Sequence, residues 1–127
     1  MRDLNYTLYI HMTKNKKFSL NFYERLHTLK DFNTVFNNGY VLKNEVIKIL
    51  VYIKKNPSFT RRMGIITSRR IGTAVLRNKI KRRIREIFRI NKYLLIPKVD
   101  LIFIPNKYTT QVSYNVLKKN IIKLLLT

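Results

Sequence analysis

Thr73-Ala74-Val75-Leu76-Arg77-Asn78-Lys79-Ile80-Lys81-Arg82-Arg83-Ile84-Arg85-Glu86-Ile87-Phe88-Arg89-Ile90-Asn91-Lys92 is the stretch that decides the fold. At 100° per residue, Leu76, Ile80, Ile84, Ile87 and Phe88 fall on one side of a helix, and Asn78, Lys81, Arg82, Arg85 and Arg89 on the other. Arg77 and Lys79 sit at the flanks. Such a helix is roughly 30 Å long; it docks a greasy face and presents a cationic one. Its neighbours say what it docks on. Before it, Arg61 to Ser68 reads as a strand closed off by Ile71-Gly72-Thr73. After it, Pro97 precedes Val99 to Ile104, almost continuously apolar, as a strand buried on both faces would be, and Pro105 ends that run. If the two strands share a sheet, the basic helix is their crossover, because consecutive parallel strands need such a connection.

Further out, Glu45 to Lys54 alternates almost strictly. Ile47, Ile49, Val51 and Ile53 form one face of a strand; Val46, Lys48, Leu50 and Tyr52 form the other. A short extended piece near Tyr40–Leu42 precedes it, and Asn56-Pro57-Ser58 supplies a turn after it. Thr28 with Asp31 is a capping-box pattern, and Leu29, Phe32, Val35 and Phe36 recur at helical spacing, so a helix runs from about 28 to 38. Gly39 sits where a C′ glycine would end it. Val116, Leu117, Ile121, Leu124 and Leu125 make a last amphipathic helix over about 113–125. The order is α-βββ-α-β-α, an α+β sandwich in one domain over residues 27–127. Residues 1–26 lack a clear period and are read as a basic N-terminal arm, in which either Met1 or Met12 could open the chain.

The 127 residues carry 27 Lys+Arg against 6 Asp+Glu, a formal charge of +21. Hydrophobic residues at 46% and 15 aromatics (7 Phe, 8 Tyr) exclude a disordered basic tail. The longest apolar runs are broken by lysine and fall short of the ~20 residues of a membrane span. Cysteine is absent, which removes disulfides, zinc-thiolate sites and thiol chemistry together. A folded domain of this charge points to a polyanion. Ile (16), Lys (16) and Asn (13) fill about a third of the chain, a bias that reflects AT-rich coding. The arginines therefore say more than the lysines: 9 of 11 lie between Arg61 and Arg89. A guanidinium forks onto phosphate and stacks on bases, where an ammonium is a point charge. The segment 61–92 holds 12 basic residues and one acid. A membrane-surface helix is disfavoured because its apolar side would be needed for lipid instead of the sheet. RNA is favoured over DNA by Phe32, Phe36 and Tyr52 near a sheet face, apt for stacking unpaired bases.

Asp3, Glu24, Asp31, Glu45, Glu86 and Asp100 are scattered, so no carboxylate cluster for metal-assisted hydrolysis is expected. Asp31 reads as a cap, and Glu86 as the partner of Arg82, Arg83 or Arg89. His11 and His27 read as exposed rather than as an acid/base pair. Three glycines cannot build a phosphate loop. The residues alone describe a binding protein with no catalytic or metal-ligating set of its own.

The run Gly64-Ile65-Ile66-Thr67-Ser68-Arg69-Arg70-Ile71-Gly72-Thr73-Ala74-Val75-Leu76-Arg77-Asn78-Lys79-Ile80-Lys81-Arg82 closely resembles the signature of the bacterial ribonuclease P protein family. Asp31-Phe32-Asn33-Thr34-Val35-Phe36-Asn37-Asn38-Gly39 is similar to that family's first helix, and Asp100-Leu101-Ile102-Phe103-Ile104 to its late strand. The resemblance covers about residues 26–126. It implies an accessory subunit of a cytoplasmic ribonucleoprotein endonuclease that removes the 5′ leader from precursor tRNA. In that family the RNA subunit performs catalysis and holds the Mg²⁺ ions, and the protein's partners are that RNA and the leader, not DNA or membrane. The resemblance further implies a left-handed βαβ crossover through the basic helix, an exception to the usual rule.

Position by position, the resemblance assigns Arg69, Arg70, Arg77, Asn78, Lys79, Lys81, Arg82, Arg85 and Arg89 to RNA binding. It assigns Phe32, Phe36, Lys48, Leu50 and Ile66 to a cleft for the leader. Lys79 stands where a second Arg is usual and keeps the charge without the fork. Leu50 holds a position that can be aromatic, and Ile66 one that is usually small and polar. The rival reading is a basic ribosomal or structural RNA-binding protein, which shares RNA binding but not stimulation of leader removal.

Overall fold

The computed structural model describes residues 20–55 and 60–126. Three helices and four strands alternate as α1 (Leu29–Asn38), β1 (Tyr40–Lys43), β2 (Ile47–Ile53), β3 (Arg62–Ile65), α2 (Ala74–Asn91), β4 (Val99–Pro105) and α3 (Tyr114–Leu125). The expected α-βββ-α-β-α order is the observed one. The Asn56-Pro57-Ser58 turn and the arm up to residue 19, with His11 and Met12, lie outside the described residues.

The sheet runs β1-β2-β4-β3. β4 is antiparallel to β2, with Leu50 opposite Ile102, and parallel to β3, with Gly64 beside Ile102. The β3–α2–β4 connection is therefore the crossover that the sequence called for. The pleat then divides the core. On one face Ile47, Ile49, Val51, Leu101 and Phe103 pack against Ile80, Ile84, Ile87 and Phe88 of α2 and Leu117 and Ile121 of α3. On the other, Leu50 and Ile102 pack under Leu26 and Val35, flanked by Phe32, Tyr52, Ile66 and Ile104. β4 is buried on both faces, which accounts for its unbroken apolar run.

Each helix starts where its cap dictates. Thr28 and Asp31 form the expected reciprocal box on α1. The Thr73 and Ser113 hydroxyls accept from the amides of Leu76 and Val116, so α2 and α3 each begin one residue after the cap. Gly39 ends α1 for a different reason from the expected one. Its φ of −85° is ordinary, but a Cβ there would lie 2.6 Å from the Val35 carbonyl oxygen and 2.7 Å from that of Val51. Close backbone approach, not a left-handed turn, demands the glycine. Leu76 also departs from expectation: it stays half-exposed and covers Gly72 rather than joining the core.

Residues 20–26, read from the sequence as the end of the arm, belong to the packed domain. Leu20 packs on the α2 side of the core and Leu26 is buried under α1. The Leu26 amide donates to Met63 O at 2.9 Å, and Arg25 bridges Met63 in parallel fashion, covering the outer edge of β3. Between them Glu24 is buried in an ion pair with Lys92, just beyond the end of α2.

Candidate nucleic-acid interface

Two surfaces carry the residues singled out in the sequence. The first is the outside of α2 with the turn that leads into it. Because Ile80, Ile84, Ile87 and Phe88 face the sheet, Asn78, Lys79, Arg82 and Arg85 are exposed, and Arg77, Lys81 and Arg89 are half-buried at the flanks. Arg69 and Arg70 are exposed on a single 3₁₀ turn, Arg69–Ile71, ahead of the helix. Gly72 makes this placement possible: its φ of 147° is open only to glycine, and a Cβ would also meet Leu76 Cδ1 at 2.9 Å. Arg77 locks the same turn by donating from Nη1 to Gly72 O at 2.7 Å. No acidic residue lies in the first turn of α2, so the turn's two arginines and the positive end of the helix dipole share one end of the surface. Glu86 reaches Arg89 at 3.8 Å; of its three expected partners, that is the one it takes.

Besides Arg77, three more of the nine clustered arginines have structural roles that the charge count concealed. Arg62 forks onto Asp100, with Nε and Nη2 at 3.1 and 2.7 Å, and also meets Asp31 at 3.4 Å. Lys54 joins this network at 3.1 Å from Asp100. Hydrogen bonding to Asp100 raises the Arg62 pKa despite the burial that opposes it. At Asp31, burial pushes the carboxyl up, but hydrogen bonds from Thr28 and the Arg62 charge outweigh it and the pKa is lowered. Arg61 donates from Nε to Leu95 O at 2.9 Å and lies over the Tyr93 ring. Arg83 reaches Val112 O at 3.4 Å.

The second surface is the sheet face that α1 crosses. Register sets its residues in rows across the strands. Tyr52, Asp100 and Arg62 form one row, Val41, Leu50, Ile102 and Gly64 the next, and Lys43, Lys48 and Ile104 a third. Ile66 extends the third row, its amide donating to Phe103 O at 3.0 Å. α1 lies over the first two rows: Asp31 reaches Arg62, and the Phe32 ring fills the space above Gly64, where a Cβ would come within 2.6 Å of it. The third row is left beside the helix, with exposed Lys48 and Lys43 at one end and half-buried Ile104 and Ile66 at the other. Phe32, Leu50 and Ile66 thus converge on one cluster, whereas Phe36, on the same helical stripe as Phe32, is 48% exposed. Leu50 is buried beneath α1. Lys43 was not singled out in the sequence; the tight turn in which Asn44 Oδ1 accepts from the Val46 and Ile47 amides places it opposite Lys48.

Four of the five described carboxylates, Glu24, Asp31, Glu86 and Asp100, sit in ion pairs. Among the described residues no group of three or more His, Asp or Glu is placed to hold a metal ion, and no helix is long and apolar enough to cross a membrane.

A small α+β domain with an arginine-faced crossover helix has the charge distribution of a nucleic-acid-binding protein. Comparison with known proteins says which kind. A sequence model of the family described as Ribonuclease P matches residues 20–127. The ribonuclease P protein component of Thermotoga petrophila is 43% identical over 84 residues, 66% of this chain and 70% of that one. That of Petrotoga mobilis is 35% identical over 106 residues, 80% of this chain and 88% of that one. Among solved structures, the Thermotoga maritima RNase P protein superposes with a TM-score of 0.71 at 34% identity, covering 80% of this chain and 94% of that one. The Staphylococcus aureus RNase P protein gives 0.73 at 28% identity, covering 81% and 93%. The chain belongs to the ribonuclease P protein family. It is a protein component of a tRNA-processing ribonucleoprotein, and its partner is the ribonuclease P RNA.

Proposed function

We propose that the outer face of α2 secures the catalytic RNA while the groove beside α1 holds the 5′ leader of precursor tRNA. The carrying observation is the separation of the two surfaces by the thickness of the sheet: α2 packs on one face and α1 on the other. A straight cationic helix with Arg69, Arg70, Arg77, Asn78, Lys79, Lys81, Arg82, Arg85 and Arg89 on or beside it suits the backbone of a folded RNA. An extended single strand needs a groove with apolar or stacking walls and a few charges. Phe32 and Phe36 supply the wall, Ile66 the floor, Leu50 the support, and Lys48 with Lys43 the charge.

In this reading the Mg²⁺ ions of leader cleavage belong to the RNA, and the chain adds phosphate contacts and a track for the leader. Its place is the cytoplasm, where precursor tRNA is processed. Reconstitution with the cognate RNA tests the function. The protein should speed leader removal at low Mg²⁺ and favour a precursor over mature tRNA. A basic ribosomal or scaffold protein would bind RNA without doing either.

A further inference from the structure

On the side of α1 away from the Lys48 row, a second concavity opens between the 20–27 segment and the ends of β2 and β3. It is lined by Phe22, Tyr23, Arg25, His27, Lys54 and Arg62. Two of its aromatic rings are largely exposed, Phe22 at 66% and Tyr23 at 71%. They are also held in place. Phe22 stacks on the His27 ring at 4.0 Å with 20° between the planes, and His27 Nε2 donates to the Phe22 carbonyl at 2.7 Å. Tyr23 meets Phe22 edge-on at 5.6 Å. A 3₁₀ turn, Phe22–Glu24, carries both rings, and buried Glu24 anchors that turn through Lys92. Core demand does not explain two large rings fixed outward in this way.

The charges complete the pattern. Lys54 and Arg62 are engaged with Asp100 and Asp31, so they form the polar wall. Arg25 is exposed, and its guanidinium donates from Nη2 to a carbonyl, Leu20 O, at 3.2 Å. A pre-set aromatic platform beside an exposed guanidinium is the arrangement that takes an unpaired base on the ring and its phosphate on the cation.

We infer that this concavity is a second nucleotide-binding site, which stacks one base of single-stranded RNA on Phe22 and Tyr23 and holds the adjoining phosphate with Arg25. The inference rests on the reading of the chain as a binder of single-stranded RNA, but it uses none of the groove residues. The strand can come from a leader long enough to pass α1 or from an unpaired segment of the catalytic RNA; the chemistry is the same.

The test uses the full chain and a short 4-thiouridine oligonucleotide for photo-crosslinking and affinity. Crosslinks are expected within residues 22–25 as well as on α1, and those at 22–25 should persist in the Lys48→Ala variant. Phe22→Ala/Tyr23→Ala should weaken binding about fivefold or more, and Arg25→Gln should weaken it and flatten its salt dependence. Both changes fall on exposed side chains, and Phe22→Trp should restore binding through stacking alone. In the holoenzyme, a loss that appears only with long leaders assigns the strand to the leader, and an equal loss in assembly assigns it to the catalytic RNA. Crosslinks confined to α1 and the Lys48 row, or unchanged affinity in Phe22→Ala/Tyr23→Ala, would overturn this site and leave the groove standing. No binding of the oligonucleotide at all would overturn the single-strand reading itself.

Discussion

Arg61 and Arg62 at the head of β3 and Arg82 and Arg85 on the outside of α2 put the same side chain to opposite uses. The β3 pair is turned inward. Arg62 neutralises Asp100, which is 2% exposed, and Arg61 ties the strand to the loop after α2. The α2 pair is turned outward on a face whose only acid, Glu86, reaches Arg89. A guanidinium committed to a buried carboxylate holds the fold together, whereas one left in solvent raises the repulsion that an RNA backbone relieves. Charge density along the chain therefore overstates the surface proposed for RNA, and ion pairing divides the two sets.

The largest expected effect tests the inward half. Arg62→Ala leaves Asp100 with Lys54 as its remaining cation and should cost about 3 kcal/mol in urea unfolding. Arg62→Lys should recover only part of that, since an ammonium cannot fork. Arg82→Ala or Arg85→Ala should move stability by no more than about 0.5 kcal/mol. Comparable losses at Arg62 and Arg82 would erase the distinction. The next effect tests the outward half. Holoenzyme assembly should depend steeply on salt, and each arginine removed from α2 should reduce the slope of log K by roughly 0.7–0.9. A flat titration, or an equal drop in slope from a folded Arg62 variant, would break the comparison from the other side.

How much of this was legible depended on the range of the interaction that decides each feature. The faces of β2 follow from alternation, and the start of α1 from Thr28 and Asp31, because both are set within a few residues. The Arg62–Asp100 pair spans 38 residues and the Glu24–Lys92 pair 68, so nothing local marks either. That is why Arg62 stands in the arginine cluster with no sign of its structural role, and residues 20–26 read as part of the arm. Gly39 was recognised as a helix end, but its cause is the β2 backbone beside it, which no sequence window contains. Of the groove residues, Phe32 and Lys48 could be placed by periodicity. The burial of Leu50 needed the β2–β4 register and the crossing of α1.

A third, smaller effect separates the groove from both arginine sets. Lys48 is exposed in its row between Lys43 and Ile104, so Lys48→Ala removes one charge without opening the core. Assembly with the catalytic RNA should be unchanged, and the preference for precursor over mature tRNA should fall severalfold, as for one lost single-strand phosphate contact. The same fall at every leader length down to none would place Lys48 on the tRNA body instead. Adding Lys43→Ala should deepen the loss if the two lysines grip one strand.

The smallest expected effect concerns acid, which attacks only the inward half. Among the described residues Arg82 and Arg85 have no carboxylate partner to lose, but Asp31 holds both the α1 cap and one side of Arg62. Its pKa lies below the unfolded value of about 3.8. A depressed carboxyl contributes stability that is fully present above the unfolded pKa and is lost as pH falls through the folded one. The window therefore lies below about pH 3.8, with no change expected between neutrality and about pH 5. Asp31 is partly exposed and solvent screens its pair with Arg62, so the contribution is modest. Unfolding midpoints at about pH 5 and about pH 2.5 should fall further in the parent than in Asp31→Asn, whose amide oxygen can still accept from Thr28 but does not titrate. Other carboxylates fall alike in both proteins, so the difference isolates Asp31. Equal losses would mean that Arg62 is held by Asp100 and Lys54's network alone, and that the cap on α1 works without its charge.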